Sequence, residues 1–246
     1  MLKLVSLALL QATLALASCS NTDSTQKFKP IFDGKTLNGW EGDTTYWSVE
    51  NGAIVGKITP ATLLKRNTFI IWKGGQPADF ELKAEFRISA EGNSGINYRS
   101  ERLDDVPFAL KGYQADMDGG KRYTGQNYEE KGRTTLAYVG QQTLIPPSTG
   151  TLADGIKNNA WSPMQVTRSL GNADSLKMNI KDGDEWNEYH LIVKGNRLQH
   201  YVNGVLMSDV TDNDTVNGKT KGWIGVQVHV GPPMKVEYRN ILLKEE

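Results

Sequence analysis

The strongest constraint in this chain is a period-two alternation that recurs between glycine-bearing turns. In Phe80-Glu81-Leu82-Lys83-Ala84-Glu85-Phe86-Arg87-Ile88, alternate residues are apolar and the rest are charged. Successive side chains of extended backbone point to opposite faces, so this is the pattern of a strand laid over a core. Tyr189-His190-Leu191-Ile192-Val193-Lys194 and Leu198-Gln199-His200-Tyr201-Val202 flank Gly195-Asn196, and Asn203-Gly204 leads on into Val205-Leu206-Met207. Two consecutive hairpins are expected there. Asn51-Gly52, Gly74-Gly75, Gly119-Gly120 and Asn217-Gly218 supply further turns, since glycine and asparagine enter positive φ at small steric cost. Long helical periodicity is absent, and only residues 61–66 suggest a helical turn or two. The residues alone therefore predict an all-β sandwich or jelly roll.

The N-terminal segment reads as an address. Residues 1–18 carry one cation, Lys3, and then an apolar run broken only by Ser6, Gln11 and Thr13. Such a run is too short and interrupted for a permanent span, and it ends in small residues as an export signal does. Its end, Leu16-Ala17-Ser18-Cys19, resembles the bacterial lipobox, in which the cysteine is lipidated and becomes the mature N-terminus. The alternative is a conventional signal cleaved after Ala17 or Ser18. Cys19 is the only cysteine in the chain, which favours lipidation. Residues 19–27 then form a flexible tether, and the membrane is met through the N-terminal lipid alone. The expected location is the cell envelope of a bacterium.

Residues 28–246 show no linker-like break and are expected to form one domain. The 28 Lys+Arg and 28 Asp+Glu give a formal net charge of zero, which argues against a nucleic-acid partner. The single cysteine excludes disulfide frameworks, iron–sulfur clusters and cysteine-based zinc sites. The three histidines form no His-x-x-x-His pair, so a zinc-protease site is also not expected. The longest irregular stretch is expected at 141–181, with Pro146-Pro147, Trp161 and Pro163; a loop of that length is usually functional or disordered.

Three strands carry an unusual polar face. Gly95, Asn97 and Arg99 alternate in one, Gln114, Asp116 and Asp118 in a second, and Gly225, Gln227, His229 and Gly231 in a third. Amides, carboxylates, guanidinium and imidazole offer paired donors and acceptors to vicinal hydroxyls, and glycines allow close approach to the backbone. Side by side, these strands would make a polar platform suited to sugar, while each alone is also compatible with a solvated sheet face. The loop 119–133 after Asp118, with its glycines, tyrosines, Glu129, Glu130 and Arg133, fits a rim over one end. A carboxylate buried there could serve as acid or base. Trp161 is a candidate for stacking on a sugar, and His190 and His200 are expected to be structural or exposed.

The ordered motifs resemble the 3-keto-disaccharide hydrolase family. They run from Phe32-Asp33-Gly34-Lys35-Thr36-Leu37-Asn38-Gly39-Trp40 through Trp47-Ser48-Val49-Glu50-Asn51-Gly52 and Asn93-Ser94-Gly95-Ile96-Asn97-Tyr98-Arg99. Gly112-Tyr113-Gln114-Ala115-Asp116, Tyr128-Glu129-Glu130-Lys131-Gly132-Arg133 and Gly225-Val226-Gln227-Val228-His229 continue the series. The resemblance implies a concanavalin-like jelly-roll sandwich of two antiparallel sheets with a polar concave face. It also implies an enzyme acting on an oligosaccharide or oxidised glycoside, cleaving glycosides whose C3 is a ketone. Under it, Glu130 or His229 is the base, Arg133 or Arg99 polarises the ketone, and Asp116 orients a partner or holds a cation. Asn97, Gln114, Asp118, Gln227, Tyr113 and Trp161 would bind substrate. Glu130 is favoured over Glu129 on the same ground. No cofactor is firmly implied; calcium on Asp116 and Asp118 is the one metal to consider. Laminarinase-type jelly rolls place Glu-x-Asp-x-x-Glu on one strand, whereas this chain begins the run with Gln114 and has no following glutamate. A non-catalytic surface lectin and an ordinary glycosidase are the competing expectations.

Overall fold

The structure is a computed structural model, and it describes residues 27–246. Cys19, the expected leader and most of the expected tether lie outside the described residues. Two sheets face one another. From edge to edge, the first holds β14 (Gln165–Ser169), β11 (Gln141–Ile145), β17 (Val205–Asp212), β16 (Arg197–Val202), β15 (Asn187–Lys194), β6 (Phe80–Ile88), β19 (Met234–Glu245), β4 (Ala53–Ile58) and β3 (Trp47–Glu50), with β1 (Lys29–Pro30) on β19. The second holds β12 (Ile156–Lys157), β13 (Ala160–Trp161), β10 (Thr134–Ala137), β9 (Asn127–Glu130), β8 (Leu110–Asp118), β7 (Asn93–Arg102), β18 (Trp223–Val228), β5 (Thr68–Trp72) and β2 (Trp40–Glu41). The expected jelly-roll sandwich is what forms. Its sheets are antiparallel except for one parallel pairing in each, β11 with β17 and β10 with β13.

Alternation does what the sequence requires of it. Phe80, Leu82, Ala84, Phe86 and Ile88 of β6 are buried, while the residues between them are half-buried. Those charged residues meet partners on neighbouring strands, as in Arg87 with Glu237 at 2.6 Å and Arg239 with Glu85 at 2.6 Å. Across the interior, Ile96 and Tyr98 of β7 and Tyr113, Ala115 and Met117 of β8 join the same apolar core as Phe86 and Leu191. Both expected hairpins form, with Lys194 paired to Arg197 and Val202 to Val205. In the second turn Asn203 and Gly204 both take positive φ, 50° and 80°. That backbone twist matches the strands it joins.

The stretch 141–181 is more ordered than its composition suggests. It contains β11, β12, β13 and β14 and two short helices, α1 (Leu152–Gly155) and α2 (Ala173–Lys177). Thr151 caps α1 reciprocally with Asp154, and Asn172 caps α2. Residues 61–66 form turns with no helix. Trp161 is 2% exposed and belongs to the core, so it is not available to stack on a ligand. Gly155 lies against its ring, which leaves no room there for even a methyl group.

The second sheet has one face on the core and one turned away from it. Register places Gly95 opposite Asp116, and Asn97 opposite both Gln114 and Gly225. Gln114 in turn pairs with Tyr128, and Gly112 with Glu130. Asn97, Gln114, Asp116, Tyr128, Glu130 and Gln227 therefore share the outward face through period-two alternation, while Ser94, Asn127 and Glu129 face the core.

Candidate active site

A line of side-chain amides crosses this face to a buried carboxyl. Gln227 Nε2 donates to Gln114 Oε1 at 3.1 Å, and Gln114 Nε2 donates to Asp116 Oδ1. Gln126 Nε2 donates to the other oxygen, Oδ2, at 2.5 Å. Burial pushes the Asp116 carboxyl up to about 7; the two amide donors oppose that rise, and the charges of Glu130 and Asp118 add to it. Asp116 thus changes protonation near neutrality, a property common at catalytic carboxyls. From the other sheet, the Tyr189 hydroxyl donates to the Asp116 carbonyl at 2.9 Å.

Glu130 supplies the second carboxyl. Its Oε1 accepts from Asn67 Nδ2 at 3.1 Å, joining the end of β9 to the residue before β5. Asn67 Oδ1 accepts the Val230 N–H at 2.9 Å, which also ties down the segment carrying His229. Burial raises the Glu130 carboxyl above its usual range, opposed by the Asn67 hydrogen bond and the nearby Lys131 and His229. His229 Nδ1 lies 2.6 Å from the Val230 carbonyl. A carbonyl only accepts, so we assign the proton to Nδ1, leaving Nε2 as the ring atom able to take another. Asp116, Glu130 and His229 line one cavity of about 220 Å³ with Asn93, Gln114, Tyr123, Gln126, Tyr128 and Asn159. Small-molecule sites commonly measure about 300–1,000 Å³, so this one suits a single sugar unit better than a long chain. Burial raises the Tyr128 hydroxyl to about 12, with Glu130 and Asp116 adding to the effect. It stays protonated and able to donate.

Several expected site residues lie elsewhere. Arg133 is fully buried on the core side. It binds Glu129 through Nε at 2.8 Å, Asp212 through Nη2 at 2.7 Å and Asp214 through Nη1 at 3.3 Å. Burial works against its charge, but Glu129 and Asp212 more than offset this and hold the guanidinium well above its ordinary range. It staples β9 to the end of β17 and cannot polarise a substrate in the cavity. Tyr113 belongs to the same network, its hydroxyl donating to Asp212 at 2.6 Å, and its ring lies in the core. Arg99 leaves the platform because β7 bulges between Tyr98 and Glu101, and Arg99 itself takes φ 43°. A bulge re-aims the side chains beyond it. Its guanidinium instead meets the carbonyls of Ala78 and Gly195 and the Asp79 carboxylate at 2.8, 2.7 and 3.0 Å.

Asp118 is on the right face but is committed to its own loop. It accepts the N–H groups of Arg122, Tyr123 and Thr124 at 3.0, 2.7 and 3.1 Å, so it shapes the rim and does not bind substrate. The calcium expectation fails on the same grounds: the carboxylate oxygens of both aspartates point at N–H donors, a geometry opposite to that a cation needs. Two glycines have a different role from the one expected. A Cβ on Gly95 would strike Gln114, and one on Gly225 would strike Leu110, so they admit neighbouring side chains and not a ligand. Asn97 faces this side but is fully buried, with neither amide atom partnered, and Gln227 Oε1 is likewise unpartnered. Such atoms cost about 1–3 kcal/mol each unless water or a ligand reaches them. Neither Asn97 nor Gln227 is among the residues that line the cavity, so the substrate-binding role expected of them is not one that their placement supports.

Sequence reasoning did not single out Asn67, Asn93, Gln126, Tyr128, Tyr123 or Asn159. Gln126 and Tyr128 stood inside the rim segment and keep the alternation that selects Glu130. Asn67 carried no local signal, since its role arises only when the start of β5 meets the end of β9.

Comparison with solved structures finds the same fold at low identity. A candidate glycosyl hydrolase from Parabacteroides distasonis is similar at TM-score 0.55 and 20% identity, covering 89% of this chain and 94% of that one. The carbohydrate-binding module CBM66 from Bacillus subtilis is similar at TM-score 0.52 and 14% identity, covering 84% and 96%. A protein of unknown function with a galectin-like fold, also from Bacillus subtilis, is similar at TM-score 0.53 and 14% identity over 85% and 90%. Comparison with curated proteins finds no match. The profile of the 3-keto-alpha-glucoside-1,2-lyase-like domain matches residues 27–244, nearly the whole of the described chain. This is a carbohydrate-active, glycosyl-hydrolase-like chain, and it belongs to the 3-keto-alpha-glucoside-1,2-lyase-like domain family.

Proposed function

We propose that the chain cleaves 3-keto-glycosides by removing the C2 proton and expelling the C1 substituent. The observation that carries this reading is one cavity holding two carboxyls, Asp116 and Glu130, both raised above their ordinary range beside His229. A C3 ketone acidifies the C2–H bond, so the reaction needs a base near C2, a donor at the C3 oxygen and a mild acid at the leaving oxygen. Glu130 is the base: its raised affinity for protons strengthens it, and the Asn67 hydrogen bond keeps it ionised in part. Its proximity to His229 lets Nε2 accept the proton onward. The electron pair of the C2–H bond forms C1=C2 as the C1–O bond breaks, and Asp116 protonates the departing oxygen. Tyr128 donates to the C3 oxygen, the role that Arg133 and Arg99 cannot fill. Water then adds at C1, with a proton returning to C2, which completes a hydrolysis.

The test compares turnover of a 3-keto-glucoside with that of the unoxidised sugar. Product from the oxidised substrate alone is expected, and Glu130→Gln should lower kcat by about 10²-fold or more. An intact fold that turns over neither substrate rejects the lyase reading. Tight glycan binding that survives Glu130→Gln without product would make the chain a lectin-like binder, and release from an unoxidised aryl glycoside would make it an ordinary glycosidase. We place the mature protein in the bacterial envelope, anchored through a lipid on Cys19.

A further inference from the structure

β8 and β18 are not neighbours in their sheet, because β7 runs between them. Strands two places apart lie about 9.5 Å from one another, yet Gln227 Nε2 on β18 reaches Gln114 Oε1 on β8 at 3.1 Å. The crossing is made over Gly95 of β7. A Cβ there would come within 2.5 Å of Gln114 Cγ and 2.9 Å of its Nε2, so any other residue at this position would push the Gln114 side chain from its path. Gly95 is not among the glycines with positive φ. What requires glycine here is the crossing and not a turn.

Orientation runs along this bridge from one carboxyl to the other. Gln227 is fully buried and lies outside the residues that line the cavity. Its backbone is fixed by pairing with Phe69 of β5 and by the Ser94 hydroxyl, which donates to its carbonyl. Its side-chain amide favours the charged form of Glu130, which only the N–H side of an amide can do. Oε1 is then left buried without a partner. That cost belongs to this orientation, and the reverse one would set a carbonyl against both the Glu130 carboxylate and Gln114 Oε1. With its Oε1 held by Gln227, the Gln114 amide turns Nε2 to Asp116 Oδ1.

We infer that Gln227 is a positioning residue: it acts through Gln114, across the gap at Gly95, to keep an N–H donor on Asp116, and through its own N–H on Glu130. The inference rests on the lyase reading for its kinetic consequence alone, in which acid and base are both held by an amide that does not touch substrate. The other groups around the two carboxyls are Asp118, Tyr128 and His229, with Lys131 near Glu130 and the Tyr189 hydroxyl on the Asp116 carbonyl. All of them are retained in a variant at position 227.

The experiment follows the side-chain carboxyl carbon shifts of Asp116 and Glu130 by NMR against pH, in the wild type, Gln227→Met and Gly95→Ala. Methionine keeps the reach of glutamine without its donors. In Gln227→Met both midpoints should rise, that of Asp116 by about half a pH unit or more, because a carboxylate that loses an N–H donor holds its proton longer. Gly95→Ala should raise the Asp116 midpoint likewise by displacing Gln114, and Gln227→Met decides alone should Gly95→Ala fail to fold. An Asp116 midpoint that stays put in folded Gln227→Met overturns the inference and reduces Gln227 to packing, whatever the change in stability. On a 3-keto-glucoside, the pH profile of kcat should move with the midpoints while KM changes little. A profile that stays still while the midpoints move, or a wild type that turns over no substrate, removes the lyase roles of these carboxyls and leaves the bridge established by the titration.

Discussion

Glu129 and Glu130 differ only in which way an extended backbone turns them, yet their environments are opposites. Glu129 lies against Arg133 at 2.8 Å on the core side, while Glu130 faces the cavity with Asn67. Asp116 carries the sharpest single-residue expectation. Its folded carboxyl is raised to about 7 from an ordinary 3.8, so between these values the folded state binds a proton that the unfolded state has released. Stability from this group is therefore full below pH 4 and is lost as pH rises towards 7. Asp116→Asn should flatten that slope and raise stability above pH 7 by on the order of 1 kcal/mol or more, read by urea denaturation at several pH values. The gain is smaller than the shift alone implies, because one asparagine atom then confronts an amide donor of Gln114 or Gln126. An unchanged slope would mean that Asp116 is ionised throughout.

The strands decide the site through register and through its interruption. Pairing of β7 with β8 and β18 stacks Asn97, Gln114 and Gln227 on one face, and the bulge after Tyr98 then turns Arg99 away from them. Arg133 anchors β9 to β17 through three carboxylates and has no exposed surface. Arg133→Met should cost about 3–5 kcal/mol, because it leaves buried carboxylates without their cation. Chemical denaturation would measure it, and variant protein folded in the cold should retain most substrate turnover. A milder cost, about 0.5–1.5 kcal/mol, is expected for Tyr189→Phe. Its hydroxyl is one of two donors to the Asp116 carbonyl, the Gly125 N–H at 3.1 Å being the other. His200 acts similarly from β16, with Nδ1 3.2 Å from the Gln126 carbonyl. Burial holds that imidazole down at about 4, so it stays neutral at physiological pH.

Taken whole, the molecule is a sandwich whose one sheet supplies support and whose other carries the candidate site, with an address proposed ahead of it. Mass analysis of the mature N-terminus should find acyl chains on Cys19, and Cys19→Ser should release soluble protein; an unmodified terminus after Ala17 or Ser18 would point to the conventional signal. The sequence by itself determined the sandwich, the hairpins and the face on which Asn97, Gln114, Asp116 and Gln227 stand, because period-two alternation and positive-φ turns are local properties of the chain. It also singled out Glu130, though through a resemblance and not through spacing. Only the tertiary structure decided that Arg133 and Tyr113 turn inward, that Arg99 leaves the platform, and that Trp161 fills the core. It alone brought Asn67 to Glu130 across 63 positions of sequence. The physical reason is common to all of these: an arginine, a tryptophan or an amide reads alike in sequence whether its partner is a ligand or a distant carboxylate, and only folding chooses the partner.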